Sequence, residues 1–294
     1  MPGVDLHIHS CFSDDGEFTV LNLVDLCKVV DIRYMAITDH NSVRAVTELL
    51  KTAPGMGIHA VSGVELDCVH EEKNFHLLGY HFDHTNPAFA RIEEDIQKQE
   101  QDAAIRKIEL ISKEIDFPIC IHEILAASHN GIVTGELIAE ILLNQKEAKD
   151  CRALLPYRPG GKRSDNPYVN FYWDYFSQGK AACVPIRYIQ LCDAVSLIHK
   201  AGGAAVLAHP GQNLRGNFAF LDKIVACGID GIEAFSSYHS KEDAIFFAEA
   251  AEKNNLNITC GSDFHGKTKP AISLGGHGAA NYVSEELACA NWLL

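Results

Sequence analysis

The chain holds no apolar run near the roughly 20 residues that cross a bilayer. Its first residues, MPGVDLHIHS, carry neither the basic nor the apolar stretch of a signal peptide. No membrane partner is expected, and the expected compartment is the cytoplasm. Positive charge is short as well: 25 Lys+Arg face 39 Asp+Glu, a formal net charge of −14. That balance does not supply the broad basic surface that phosphate backbones require, so nucleic acid is not expected as a partner. It leaves room for one small phosphorylated ligand held by metal ions. The ten cysteines, scattered from Cys11 to Cys289, include no C-x-x-C pair, and the reading is of buried, reduced thiols. Internal repeats and low-complexity tracts are missing too.

What is present is an ordinary globular composition, 47 % hydrophobic and 22 % charged over 294 residues. That length suits one large α/β barrel or two smaller domains, with ample core. Histidine is the unusual count, at fifteen.

Short apolar segments ending in metal-competent side chains recur along the chain: Val4–His9, Tyr34–His40, His59–Glu65, Phe75–Phe82, Gly203–Pro210, Gly228–Phe235 and Asn257–His265. The first alternates strictly, so Val4, Leu6 and Ile8 point one way while Asp5, His7 and His9 point the other. Between them lie helical patterns. Thr19 can cap a helix with an apolar stripe of Val20, Leu23, Val24, Cys27 and Val30. Residues 42–51 and 240–254 read likewise, and Ile189–Ala201 stops at Gly202-Gly203. Alternating strands and helices predict parallel pairing in an α/β sheet or barrel.

One stretch breaks the rhythm. About 100 residues separate the fourth and fifth strands, against 2–6 for a usual βα connection. Residues 87–116 and 134–149 read as helices, followed by PYRPGGKRSDNPYVNFYWDYF. The expected division is a barrel of residues 1–84 and 188–294 with an inserted helical lid subdomain at 85–187. Tyr168, Phe171, Tyr172, Trp173 and Tyr175 either line a pocket beneath the lid or pack the insert.

The strand ends carry chemistry. His7 and His9, two apart on a strand, share a face and can grip one ion. Asp14 follows in a Ser-Asp-Asp-Gly turn, and His40, Glu65, His76, His209, Asp263 and His265 stand at the ends of later strands. In parallel α/β architectures those ends converge on one rim. Singly, each has a bland reading as a turn, surface or satisfied core residue. Together they form too large a set of ionisable groups to bury without metal, and at four to six ligands per ion they suit two or three ions.

The motifs DLHIHS, SDDG, AITDH, SGVE, FHLLGY, LAHPG, GIEAFSSYHS and GSDFHG resemble, in order, those of the PHP (polymerase and histidinol phosphatase) family, over residues 4–82 and 203–276. The resemblance implies a distorted (β/α)7 barrel, a di- or trinuclear centre of Mn, Fe or Zn, and phosphoester hydrolysis. It implies that His7, His9, Glu65 and Asp263 hold one ion. Glu65, His76 and His209 would hold a second, with Glu65 bridging, and Asp14, His40 and His265 a third. The activity so implied is a metal-dependent phosphoesterase acting on a small phosphorylated metabolite through metal-bound hydroxide. Clustered cations suit it, because they acidify water and neutralise phosphoryl oxygens.

His239, in SSYHS, is the candidate to protonate the leaving group, with Asp14 and His209 beside it in catalysis. Lys180, Lys162 and Arg163 are available for substrate phosphate, although an exposed basic loop is the plain alternative. The nucleotide-phosphatase members place an Arg and a His on the first insert helix after a turn, and NGIVTGELIAEILL supplies neither. GGKRSDNPYVNFYWDYFSQGK with GSDFHGKTKP looks more like the branch that opens ribose cyclic phosphates and then removes the monoester. The alternatives are a nucleoside mono- or 3′,5′-bisphosphate phosphatase and, in another class, a non-catalytic metal-binding module, which a missing ligand would favour.

Overall fold

The computed structural model describes residues 3–214 and 216–279. The barrel segment expected to run to 294 therefore reaches outside the described residues at 280–294. Along the chain lie β1 (Gly3–Ile8), α1 (Val20–Val29), β2 (Ile32–Ile37), α2 (Arg44–Thr52), β3 (His59–Val61), β4 (Gly63–His70) and β5 (Lys73–Tyr80). There follow α3 (Pro87–Glu114), α4 (Ile121–Ala127), α5 (Gly135–Asn144), α6 (Pro167–Tyr175), β6 (Ile189–Gln190) and α7 (Leu191–Lys200). The chain continues through β7 (Ala204–Leu207), α8 (Pro210–Leu214), α9 (Leu221–Val225), β8 (Gly231–Ser236), α10 (Lys241–Lys253) and β9 (Asn257–Gly261).

The helices start where their sequence caps stand. Thr19 accepts from the Asn22 amide at the head of α1, and Ser240 with Asp243 closes a capping box on α10. Val20, Leu23, Val24 and Cys27 are buried as the stripe predicts, but Val30 caps α1 from the exposed side.

The fold is mixed α/β, with three strands in the order β1-β2-β3 and six in the order β6-β4-β5-β7-β8-β9. Backbone hydrogen bonds join the two sheets at two places, between β1 and the residues after β9 and between β4 and the residues after β2. His9 N donates to Phe264 O and Asp263 N to His7 O, while Asn41 N donates to Glu65 O and Glu65 N to Asp39 O. These joints bring the ends of β1, β2, β4 and β9 together.

Pairing departs from the all-parallel expectation at one strand. β5 runs antiparallel to both β4 and β7. The segment His59–Glu65 divides at Ser62, and its second part continues to His70 before a tight turn through Glu71 and Glu72, both at positive φ. A two-residue turn returns the chain beside itself, and an adjacent strand made that way must be antiparallel.

The largest buried cluster lies between the six-stranded sheet and its helices, with Ile198 of α7 and Phe247 of α10 against Leu77, Val206 and Ile232. A second lies under α1 and α2. The region between β5 and β6 has its own core, from Ala104 to Ala182, including Ile108, Ile111, Leu142, Phe171 and Phe176. Phe171 is buried, and Tyr168, Tyr172 and Tyr175 pack on that core, so these aromatics serve the packing of this region. α3 links two of them: Phe89 belongs to the largest cluster and Ile108 to the core of the region between β5 and β6.

Among the described residues no helix is long and apolar enough to cross a membrane. The expectation that all cysteines stay reduced is corrected at one pair, since Cys192 and Cys227 form a disulfide. They lie 35 residues apart, a proximity that tertiary folding creates and that spacing does not reveal.

Candidate metal centre

β1 delivers two imidazoles side by side. His7 Nε2 and His9 Nε2 lie 3.1 Å apart. Each is 3.2 Å from Glu65 Oε2, and they are 3.3 and 3.0 Å from Asp263 Oδ1. Ligand bonds of about 2.0–2.1 Å in a tetrahedron give edges of roughly 3.3–3.4 Å, so the four atoms enclose the space of one ion.

The far side of each ring shows which atom faces inward. His7 Nδ1 is 2.9 Å from Glu233 Oε1, and His9 Nδ1 is 3.0 Å from Ser13 Oγ, which itself donates to Asp39 Oδ1. With Nδ1–H donating outward, both Nε2 atoms turn lone pairs toward the two carboxylate oxygens. In that state four lone pairs face one another, a crowding that a bound metal ion relieves and that protonation of an imidazole relieves in its absence. Consistently, Glu65 Oε2 and Asp263 Oδ1 are buried without a hydrogen-bond partner, as are His265 Nε2, His40 Nδ1 and His209 Nδ1.

Three further groups adjoin the first, one of them His40, Asp67 and His76. On one side Glu65 Oε1 lies 2.9 Å from His76 Nδ1 and 3.1 Å from His209 Nε2. On the other, ligand atoms of His9, Asp15, His40 and His265 lie within 4.8 Å of one another. Glu65 and His9 are thus shared, which fits a cluster of ions better than isolated ones.

Electrostatics follow the same geometry. Burial opposes charge on His7, yet the carboxylates of Glu233, Glu65 and Asp263 outweigh it and raise its pKa well above the usual range. Burial likewise opposes the Glu65 carboxylate, but His7, His76 and His40 hold its pKa well below normal. His9 is pushed down to about 4 by burial and by neighbouring His265 and His40.

Every metal residue expected from the sequence except one is gathered here. The correction falls in the Ser-Asp-Asp-Gly turn, where Asp14 is exposed and Asp15 comes within 3.3 Å of His265 Nε2. The turn is drawn tight by Ser13 N donating to Ser10 O and Gly16 N to Ser13 O. No strand alternation operates in a turn, so the choice between adjacent aspartates rests on this local folding.

His239 is also corrected. Its Nδ1 lies 2.8 Å from Ala234 O, and its Nε2 accepts from Gly211 N at 3.0 Å. The ring is therefore neutral, its only proton already donated, and burial lowers its pKa. It braces the loop that follows His209 and has no proton free for a leaving group. Arg163 binds Asp174 at 3.1 Å through two nitrogens within the helical region. Lys162 and Lys180 are exposed on that region.

Several residues were missed. Lys269, 6 % exposed, lies 2.6 Å from Asp263 Oδ2, and Tyr238 Oη donates to that oxygen at 2.5 Å. Between them they orient Asp263 so that Oδ1 faces the cluster. Glu233 receives the His7 ring and also accepts from His209 N at 2.7 Å. Asp67 lies 3.5 Å from His40 Nδ1 and 3.3 Å from His76 Nε2. Two of these left signals: Asp67 follows Glu65 by two on β4, hence on the same face, and Glu233 is a lone carboxylate in the otherwise apolar run GIEAF.

Backbone strain collects at the site, with His209 at φ 22° and Asp263 at φ 60°. Close packing adds to it. A Cβ on Gly261 would stand 2.2 Å from the His7 Cβ and 2.7 Å from Glu233 Oε1. Gly261→Ala is expected to lower unfolding stability by about 1–3 kcal/mol and to reduce bound metal, read by urea midpoint and elemental analysis. Wild-type values in both would show that β9 can move away from β1 freely.

Residues 5–148 match the model of the family described as the PHP domain. A phosphoribosyl 1,2-cyclic phosphate 1,2-diphosphodiesterase of Eggerthella lenta is 26 % identical over 90 % of this chain and 94 % of its own. A 5′-3′ exoribonuclease of Haemophilus influenzae is 28 % identical over 89 % of each chain. A 3′,5′-nucleoside bisphosphate phosphatase of Chromobacterium violaceum is 28 % identical over 90 % of this chain and 88 % of its own. Among solved structures, an amidohydrolase from Chromobacterium violaceum with bound sulfate and no metal shares the fold. Its TM-score is 0.75 at 24 % identity, over 97 % of this chain and 96 % of that one.

Proposed function

We propose, for a chain that belongs to the PHP domain family and is a metal-dependent hydrolase of phosphoric ester bonds, that its substrate is a small phosphorylated metabolite, foremost a ribose cyclic phosphate. The observation that carries the reading is the ring of unpartnered lone pairs around Glu65 and Asp263, an arrangement suited to cations and, across them, to phosphoryl oxygens. The joined sheets support a distorted (β/α)7 barrel as the frame, with residues 85–187 as a lid over its rim.

His7, His9, Glu65 and Asp263 would hold one divalent ion. Glu65, His76 and His209 would hold a second, and His9, Asp15, His40 and His265 a third; Mn, Fe and Zn all suit such donors. Bound there, the ions supply an acidified water and neutralise the phosphoryl oxygens. The chain's own residues do the rest. Glu233 and Ser13 fix the tautomers of His7 and His9. Lys269 and Tyr238 aim Asp263, and His239 keeps the loop after His209 in place. Lys162 and Lys180 are exposed cations available to phosphate groups beyond the cluster, whereas Arg163 is committed to Asp174.

A second reading is favoured by two relatives, one named a 3′,5′-nucleoside bisphosphate phosphatase and one a 5′-3′ exoribonuclease. The exclusion of nucleic acid on net charge does not stand beside such relatives, because a strand end needs only a local site. Phosphorus NMR of the metal-loaded protein distinguishes the readings. Incubation with a ribose 1,2-cyclic phosphate is expected to convert the cyclic signal to a monoester and then to inorganic phosphate. Turnover confined to nucleoside 3′,5′-bisphosphate or a 5′-phosphorylated oligoribonucleotide would put the second reading in its place.

A further inference from the structure

Away from the rim, three separate segments bring sulfur and imidazole together. Pairing of β4 with β6 sets Cys68 beside Ile189 and Val69 beside Gln190. The next residues on each strand therefore place His70 near the start of α7, where Cys192 stands in the first turn. Cys227, just beyond α9, completes the group: its Sγ bonds Cys192 and lies 3.9 Å from His70 Nδ1. Ligand atoms of the three side chains all lie within 4.8 Å of one another. His70 is five residues beyond Glu65 on the same strand, roughly 17 Å along it at ~3.3 Å per residue.

We infer that Cys192, Cys227 and His70, once the disulfide is reduced, form a second metal site for a thiophilic divalent cation such as zinc, with its fourth position open to solvent. Two thiolates and one imidazole are the donor set such an ion prefers over carboxylate. Zinc–ligand bonds of about 2.0–2.3 Å place neighbouring donor atoms roughly 3.4–3.8 Å apart, close to the His70–Cys227 separation of 3.9 Å. The disulfide and the ion exclude each other, because the ion binds thiolates and the bonded sulfurs carry no negative charge and cannot separate to neighbouring ligand positions. Cys192 lies at the N-terminus of a ten-residue helix, which favours its thiolate. The ends of the group are fastened, with Lys223 bound to Glu71 at 2.7 Å beside the His70 turn, so reduction leaves the donors near one another. The exchange balances simply. A dithiol reductant becomes its cyclic disulfide as Cys192 and Cys227 take up two hydrogens, and both thiol protons are released when the ion binds. None of the donor groups gathered at the rim contains sulfur, so the two sites differ in spectroscopic signature.

The full chain, reduced with a dithiol, stripped by chelator and titrated with cobalt(II), is expected to develop a near-ultraviolet thiolate-to-cobalt band. It should account for about one of the cobalt ions bound per chain, the rim groups taking up cobalt without such a band because they hold no sulfur, and it should be displaced by zinc. The oxidised protein should lack the band, which tests the inference without any substitution. The double variant Cys192→Ser/Cys227→Ser should lack it too, while His70→Ala should bind cobalt at that site at least about tenfold more weakly. Absence of the band in reduced protein, with Cys192 and Cys227 shown free by alkylation and mass mapping, would overturn the inference. So would a band of equal strength in the double variant, which would place the thiolate elsewhere.

Discussion

Glu65→Gln is expected to lower kcat/KM by at least about 10³-fold and to cost the protein one or more bound ions, with the fold retained. Five imidazoles converge on this one carboxylate. Oε2 lies 3.2, 3.2 and 3.3 Å from His7, His9 and His40, and Oε1 lies 2.9 and 3.1 Å from His76 and His209. Glutamine has the same shape but no charge, and its amide would turn two hydrogens toward one set of imidazoles. No position elsewhere offers a second carboxylate shared in this way among the described groups. Elemental analysis, circular dichroism and a kinetic assay on the same preparation decide the matter. Activity within about tenfold of wild type at unchanged metal content would remove Glu65 from the bridging role.

The second large effect is on stability, and its sign depends on pH. In metal-free protein His7, His40 and His76 have raised pKa values, with burial opposing and Glu65 among the carboxylates that outweigh it. Their stabilising charge is fully present below the unfolded value near 6.5 and is lost as pH rises through the raised folded values. Glu65 and Asp263 are depressed, burial again opposing, by His7 and by Lys269 respectively as the leading partners. Their contribution is present above the unfolded carboxylate range and is lost only as pH falls through the lowered folded values.

Metal-free protein is therefore expected to be most stable between about pH 5 and 6.5 and to weaken above neutrality, when imidazoles lose protons and leave the buried carboxylates uncompensated. Metal binding needs those same imidazoles deprotonated, so the benefit of the ions grows as pH rises. At a free ion concentration 100 times Kd the gain is about 2.7 kcal/mol, or roughly 5–10 °C in Tm for a chain of this size. Thermal melts of stripped and reloaded protein across pH 5–9 test the crossover. A metal-induced shift that is independent of pH would show that the cluster's protons are not linked to folding as the geometry requires.

Much of this was legible before any coordinates. Alternation in VDLHIHS puts His7 and His9 on one face by covalent geometry alone, and Thr19 and Ser240 mark their helices because an unpaired amide at a helix start needs an acceptor. Asp263 and His209 could be listed from strand ends, since parallel strands deliver those ends to one rim, whereas Glu65 stands near the start of β4 and His76 within the antiparallel β5, so the strand-end rule does not account for their place in the cluster. The shared order of motifs then allowed these residues to be grouped.

Where local rules stop, tertiary structure decided. The turn after β1 selects Asp15 over Asp14 through Ser13 and Gly16, and no periodicity ranks two neighbours in a turn. His239 is engaged by backbone groups of Ala234 and Gly211, partners that only folding places beside it. Lys269 and Tyr238 matter because both reach one oxygen of Asp263. The antiparallel course of β5 depends on a two-residue turn at Glu71 and Glu72, and the Cys192–Cys227 pair on the folding that brings the residues just beyond α9 to the first turn of α7. Residue type and spacing determined which chemistry this chain can hold. Long-range packing determined which of two adjacent or equivalent side chains holds it, because that choice depends on directions in space that a one-dimensional pattern does not carry.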